Sequence, residues 1–159
     1  MKVRAIDGMN HREATYTDLR AIKELLSSSN LPSEDCEEHI ENFIVIEEKG
    51  KIIGVGGLEI RGVFGLVRSI VVVPEKRGKG IAKKIDKLIE EKASSLGINT
   101  LYLLTESAIE YFIKLGFIIK DRAETPISIM ETKQFKALCP SSAKVMFREI
   151  SYKNRPKKL

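Results

Sequence analysis

Soft-metal ligands are scarce in this sequence: its 159 residues hold two cysteines, Cys36 and Cys139, and two histidines, His11 and His39. None has a partner at metal-ligand spacing, so a zinc site or a disulfide framework is not expected, and we expect no metal. Cys139, in the apolar turn Leu138-Cys139-Pro140, reads as a small packing residue rather than a nucleophile. Long apolar runs are also missing. No stretch approaches the roughly 20 residues needed to cross a bilayer, and the first residues lack the apolar block of a secretory leader. These absences point to a cytoplasmic protein without a membrane partner. Internal repeats and low-complexity tracts are absent too.

The composition, 43% hydrophobic and 31% charged, suits a globular chain of single-domain size. We expect one domain over residues 1–150 and a basic C-terminal tail, 151–159, that is solvated and disordered. The net charge of +5 collects in two places: Lys153-Asn154-Arg155-Pro156-Lys157-Lys158 and the group Lys76, Arg77, Lys79, Lys83 and Lys84. The first reads as a frayed end rather than a nucleic-acid arm. The second surrounds a glycine pair, where an anionic small molecule would explain it better than nucleic acid.

Along the chain, residues 1–9 read as an extended lead-in. A helix follows from a cap at Thr17, with Leu19, Ile22, Leu25 and Leu26 on one face, and a short acidic helix begins at Ser33. Phe43–Ile46 and Ile52–Ile60 read as a hairpin around Lys49-Gly50-Lys51. Gly54, Gly56 and Gly57 mark a bulge or a close approach by a ligand or another backbone. A third strand, Phe64–Val73, ends at Pro74. The period then becomes helical, with Ile81, Ala82, Ile85, Leu88 and Ile89 on one face until Leu96-Gly97. A strand at Asn99–Leu104, a helix at Ala108–Leu115 capped by Ser107 and stopped by Gly116, a strand at Phe117–Ile119, a helical stretch near Glu131–Leu138 and a strand at Ala143–Ile150 complete the pattern.

Arg77-Gly78-Lys79-Gly80-Ile81-Ala82 lies where the valine-rich strand turns into a helix. A helix start leaves backbone N–H groups without intrahelical acceptors and carries partial positive charge, so it can hold a pyrophosphate. Gly78 and Gly80 let the backbone come close to it. The run lacks both the Gly-Lys-Ser/Thr ending of a nucleoside triphosphate loop and the Gly-x-Gly-x-x-Gly of a dinucleotide fold.

The segment Ser69–Ala82 resembles the cofactor signature of the GNAT superfamily of N-acetyltransferases, Gln/Arg-x-x-Gly-x-Gly/Ala, and Ala108–Phe117 resembles that family's later helix ending in Gly-Phe. Leu101–Thr105, Glu110-Tyr111-Phe112 and Ser142–Met146 are similar to the acetyltransferase domain of N-acetylglutamate synthase. Val67-Arg68-Ser69 and Leu138-Cys139-Pro140 are similar to small acetyltransferases associated with arsenic resistance. The resemblance implies an α/β (α+β) fold: a single GNAT-like domain with a mixed, mostly antiparallel, splayed sheet flanked by helices. It implies acetyl-CoA as co-substrate and a small amine as acceptor, and it is compatible with a homodimer. The backbones of Val71 and Val73 would meet the pantetheine arm, the amides of Arg77, Gly78, Lys79, Gly80, Ile81 and Ala82 would cradle the pyrophosphate, and Phe112 would pack beside the coenzyme.

The acceptor side departs from the family pattern. Phe112 stands at the usual tyrosine position, and Tyr111, about 100° around the helix, is either the thiolate's proton donor or a packing residue. Leu66 replaces a glutamate found in histone-modifying relatives. Glu59 is then the carboxylate left for a general base, or a solvated charge. Arg68 interrupts an apolar strand, and three readings fit it: a grip on a substrate carboxylate, an internal salt bridge or an exposed edge. Thr105 and Ser142 are candidate substrate contacts, although Thr105 could equally cap its strand. Ser141 and Ser142 stand where N-acetylglutamate synthases have arginines, which argues against glutamate itself. Three functions remain open: an amino-acid-like N-acetyltransferase, a non-catalytic acyl-CoA-binding module, and a protein or peptide N-acetyltransferase.

Overall fold

The computed structural model describes residues 8–138 and 141–150. The expected basic tail, the first residues of the lead-in and the Cys139-Pro140 part of the apolar turn lie outside the described residues. Seven strands form one sheet: β1 (Met9–Glu13), β2 (Phe43–Glu48), β3 (Lys51–Arg61), β4 (Phe64–Val72), β5 (Thr100–Thr105), β6 (Ile118–Lys120) and β7 (Lys144–Glu149), in the spatial order β1-β2-β3-β4-β5-β7-β6. Among the described pairings, β4–β5 is the parallel one, and its register runs from Phe64↔Thr100 to Leu66↔Tyr102. The helices are α1 (Leu19–Ser28), α2 (Ile81–Ser95), α3 (Ile109–Lys114) and α4 (Ile127–Met130), with a π-helical turn at Gln134–Leu138. Among the described residues no helix is long and apolar enough to cross a membrane.

The chain forms two compact units. The first draws on residues up to Leu58 and on Ser69–Ile89. Its core gathers Ile22 and Leu26 of α1 with Cys36, Phe43, Val45, Val55 and Val71. The β2–β3 hairpin turns through Lys49 and Gly50, both at positive φ (52° and 76°), the pattern of a type I′ turn that matches strand twist. Its register shifts between Ile46 and Glu47, next to Gly54. The β3 glycines are required by packing: a Cβ at Gly57 would lie 2.6 Å from the Phe43 ring, and one at Gly56 would collide with Ile85. Around a Cβ at Gly54 the nearest atoms are Ile85 and Ile81 side chains at 3.1 and 3.2 Å and the Val71 carbonyl at 3.6 Å, so there a backbone also comes close.

Two boundaries differ from expectation for local reasons. The first helix is entered through a 3-10 turn at Tyr16–Asp18, and Asp18 accepts from the Thr15 N–H at 2.7 Å, so Thr15 rather than Thr17 marks the start. The acidic segment folds as a 3-10 helix, Cys36–Asn42. β1 was not anticipated as a strand; it pairs in register with β2 from Met9↔Glu48 to Glu13↔Ile44.

The second unit comprises Glu59–Arg68 and the chain from Glu90 onward. Its core packs Leu66, Tyr102, Val145 and Ile129 against half-buried Phe64, Leu104, Phe135 and Phe147. Burial raises the Tyr102 phenol above its ordinary range, with Glu149 adding to the shift. The helix after β5 starts at Ile109 rather than being capped by Ser107.

Candidate functional site

In the first unit, Val72 ends β4, Pro74–Lys76 make one 3-10 turn, and an exposed stretch from Arg77 to Gly80 leads into α2. Gly78 and Gly80 both adopt positive φ (77° and 82°), with nothing within 4 Å of where a Cβ would stand. Backbone conformation, not crowding by protein, therefore requires glycine at both. The first hydrogen bond of the helix is Lys84 N–H to Gly80 O at 3.0 Å. This leaves the amides of Ile81, Ala82 and Lys83 without intrahelical acceptors.

No acidic residue stands in the first turn of α2. An acid there would answer the positive dipole end; in α2 nothing on the helix does so, and Lys79 and Lys83 are exposed around it. Lys76 instead pairs with Glu48 at 2.8 Å, and its hydrogen bond holds the Glu48 carboxyl below its ordinary range.

The loop is held by its own arginine. Arg77 Nε donates to Val72 O at 2.8 Å, and the Arg77 amide donates to Pro74 O at 3.3 Å. Val73 donates its N–H to Ile53 O at 2.9 Å and accepts at its carbonyl from Lys76 N–H at 3.0 Å. The backbone of Val73 is thus committed within the protein, and that of Val71, two residues earlier near the end of β4, is turned to the same side. The sequence singled out Arg77 for its amide and its charge; its side chain also ties the turn to the end of β4.

In the second unit, Glu59 and Arg68 meet. Both side chains are 1% exposed, and Arg68 Nη1 lies 3.6 Å from Glu59 Oε1. Arg61, a third exposed, donates to Glu59 Oε2 from Nε at 2.9 Å and from Nη2 at 2.6 Å. Of the three readings open to Arg68, the buried ion pair is the one this geometry realises. Glu59 is correspondingly not a solvated charge but a carboxylate held between two guanidinium groups.

The hydroxyls have protein partners. Thr105 Oγ1 accepts from Ala108 N–H at 3.1 Å, closing the turn that enters α3, and Ser142 Oγ donates to Glu106 Oε2 at 2.7 Å. Tyr111 is 39% exposed on α3 and meets Phe112 edge-on at 5.6 Å; Phe112 in turn meets the buried Phe117 at 5.7 Å. Sequence reasoning passed over Arg61 and Arg148. A charged residue directly after the apolar run Val145-Met146-Phe147 was the available signal for the latter.

The strand, glycine turn, α2 and α3 fall inside a region, residues 39–119, that matches the family model described as acetyltransferase (GNAT) domain. The amino-acid acetyltransferase of Ralstonia nicotianae is 32% identical over 117 residues, covering 67% of this chain and 26% of that protein. The chain spans about a quarter of the length of such curated relatives. By structure, it resembles N-acetylglutamate synthase from Neisseria gonorrhoeae, solved with coenzyme A and N-acetyl-glutamate, with a TM-score of 0.79 at 22% identity over 94% of this chain and 36% of that one. It also resembles a GNAT-family acetyltransferase from Staphylococcus aureus Mu50, with a TM-score of 0.75 at 17% identity, over 90% and 99% of the two chains. With the matched region taking in just over half of the sequence and both of its family motifs, this chain belongs to the GNAT acetyltransferases.

Proposed function

We propose that this protein transfers an acetyl group from acetyl-CoA to the primary amine of a small, carboxylate-bearing acceptor such as an amino acid. The observation that carries the reading is the start of α2: two glycines at positive φ, open backbone amides and no acid in the first turn. That is an anion site of the kind a pyrophosphate fills. The amides of Gly78 to Ala82 hold the pyrophosphate, with Lys79 and Lys83 supplying charge. Because the Val73 amide is bonded to Ile53, we assign the strand contact with the pantetheine arm to the Val72 N–H, which points to the opposite side; the Val72 carbonyl accepts from Arg77. Phe112 packs against the coenzyme. Relatives named amino-acid acetyltransferases, and one solved with N-acetyl-glutamate, support an amino-acid-like acceptor.

In direct transfer the neutral amine attacks the thioester carbonyl carbon, a C–N bond forms, the C–S bond breaks, and the amine's surplus proton leaves as the thiolate departs. The protein supplies orientation and proton routes. Glu59 is engaged by two arginines, so we assign the amine's proton to water rather than to Glu59. The thiolate is protonated by water or by Tyr111, the phenol that α3 carries next to Phe112.

The test is release of free coenzyme A thiol with a panel of amino acids, beside calorimetric titration with coenzyme A. Binding with acceptor-dependent release is the expected result. Binding without release from any amine would turn the reading to a non-catalytic acyl-CoA-binding module, for which the family departures at Phe112 and Leu66 argue. Absence of binding would overturn both.

A further inference from the structure

Helix α3 is six residues long and contains no buried residue. A helix this short does not hold itself in water and normally depends on an apolar face packed on the core. Ile109 and Phe112, three residues apart on one face, are only half-buried, so that face is thin. Its placement therefore depends on its ends. At the start, Thr105 Oγ1 accepts from Ala108 N–H. At the finish, Phe117 N–H bonds to Phe112 O at 3.0 Å and Gly116 N–H to Ile113 O at 3.0 Å, with Gly116 at φ 95°. This is a Schellman closure, completed by the contact between the Phe112 and Phe117 rings.

One side chain from β7 clamps that closure. Arg148 Nη1 donates to Leu115 O at 2.9 Å, one of the carbonyls that the helix end leaves without an internal donor. Its guanidinium carbon lies 4.3 Å from the centre of the Phe117 ring. Its Nε and Nη2 reach Glu90 Oε1 at 3.1 and 3.0 Å. A cation also suits the negative end of a helix. A single planar fork thus ties the exit of α3 to a strand and to a glutamate.

The geometry points to Arg148 as the positioning residue for α3, and through it for Phe112 against the coenzyme. The second half of this inference rests on the function proposed above; the first does not. Lysine keeps the charge but not the fork, and methionine keeps most of the stem and loses both.

The experiment compares Arg148→Met, Arg148→Lys and Glu90→Gln with the parent protein. Amide hydrogen exchange without ligand reads the helix: Arg148→Met loses about tenfold protection at Phe112, Leu115, Gly116 and Phe117, whereas Glu90→Gln, which leaves the bond to Leu115, does not. Steady-state kinetics read the consequence: in Arg148→Met the KM for acetyl-CoA rises about tenfold while the acceptor KM stays within about twofold, and Arg148→Lys falls between. Glu90→Gln lowers the melting temperature without moving the acetyl-CoA KM. Unchanged α3 protection in Arg148→Met, or an equal rise in acetyl-CoA KM in Glu90→Gln, overturns the assignment. A parent protein that turns over no acetyl-CoA overturns the proposed function instead, and the exchange data then decide the positioning role alone.

Discussion

Asp18 accepts from Arg12 Nη1 at 2.7 Å and Nη2 at 2.9 Å, and from the Thr15 amide at 2.7 Å. Hydrogen bonding by Arg12 dominates over burial and holds the carboxyl at about 2, below the 3.8 of an unperturbed aspartate. A folded value below the unfolded one means that the contribution to stability is complete above the unfolded value and is lost as pH falls from there through about 2. Asp18→Asn should lower stability at neutral pH and flatten its acid slope. Urea melts across that window would show it; an unchanged slope would place the acid sensitivity elsewhere.

Arg68 was legible as an anomaly, a guanidinium inside an apolar strand, but its partner was not, because Glu59 lies on β3, the strand beside Arg68's β4. Arg68→Met leaves Glu59 with Arg61, so the expected loss is about 3 kcal/mol, at the lower end for breaking a buried pair. A stable Arg68→Met variant with only a raised acceptor KM would instead restore the substrate-carboxylate reading. Paired melting curves and acceptor kinetics separate the two.

At the scale of elements, local signals read well where the structure is local. The Lys49-Gly50 turn, the stop at Gly97 and the apolar face Ile81, Ile85 and Ile89 of α2 all follow from turn chemistry and period. β1 did not, since Met-Asn-His-Arg-Glu has no apolar alternation and is a strand because β2 pairs with it and Arg12 reaches Glu47 at 2.9 Å. The turn into α3 is closed by Thr105 rather than Ser107: which hydroxyl faces the amide is decided by the chain's path, not by spacing.

The glycine turn carries its own prediction. Gly80→Ala tests the positive φ alone, where an L side chain is strained, and should weaken coenzyme A binding modestly through the helix start. Gly80→Glu adds a negative charge at the anion site and should weaken it far more, by at least about tenfold beyond alanine. Equal losses for the two, measured by titration of folded protein, would mean that backbone strain alone matters and no anion sits there.

For the molecule as a whole, the motifs reached further than the topology. The glycine run and the later helix ending in Gly116-Phe117 pointed to the family, whereas the order in which β7 comes between β5 and β6 depends on contacts far apart in sequence. The acceptor stayed illegible because specificity is a matter of which side chains converge, and Glu59, Arg68, Thr105 and Ser142 all proved to have partners of their own. The cofactor reading nevertheless has a global consequence. A ligand that binds only the folded chain stabilises it by about 2.7 kcal/mol at a hundred times its Kd. For a chain of this size each kcal/mol raises Tm by about 2–4 °C, so saturating coenzyme A should raise Tm by about 5–10 °C. Pantetheine, which lacks the nucleotide and both pyrophosphate charges, should give much less at the same concentration if the start of α2 is the main anchor. Added salt should shrink the coenzyme A shift, because the lysines around that turn are exposed and screened. Equal shifts from the two ligands, unaffected by salt, would move the anchor from the glycine turn to the strand that receives the pantetheine arm.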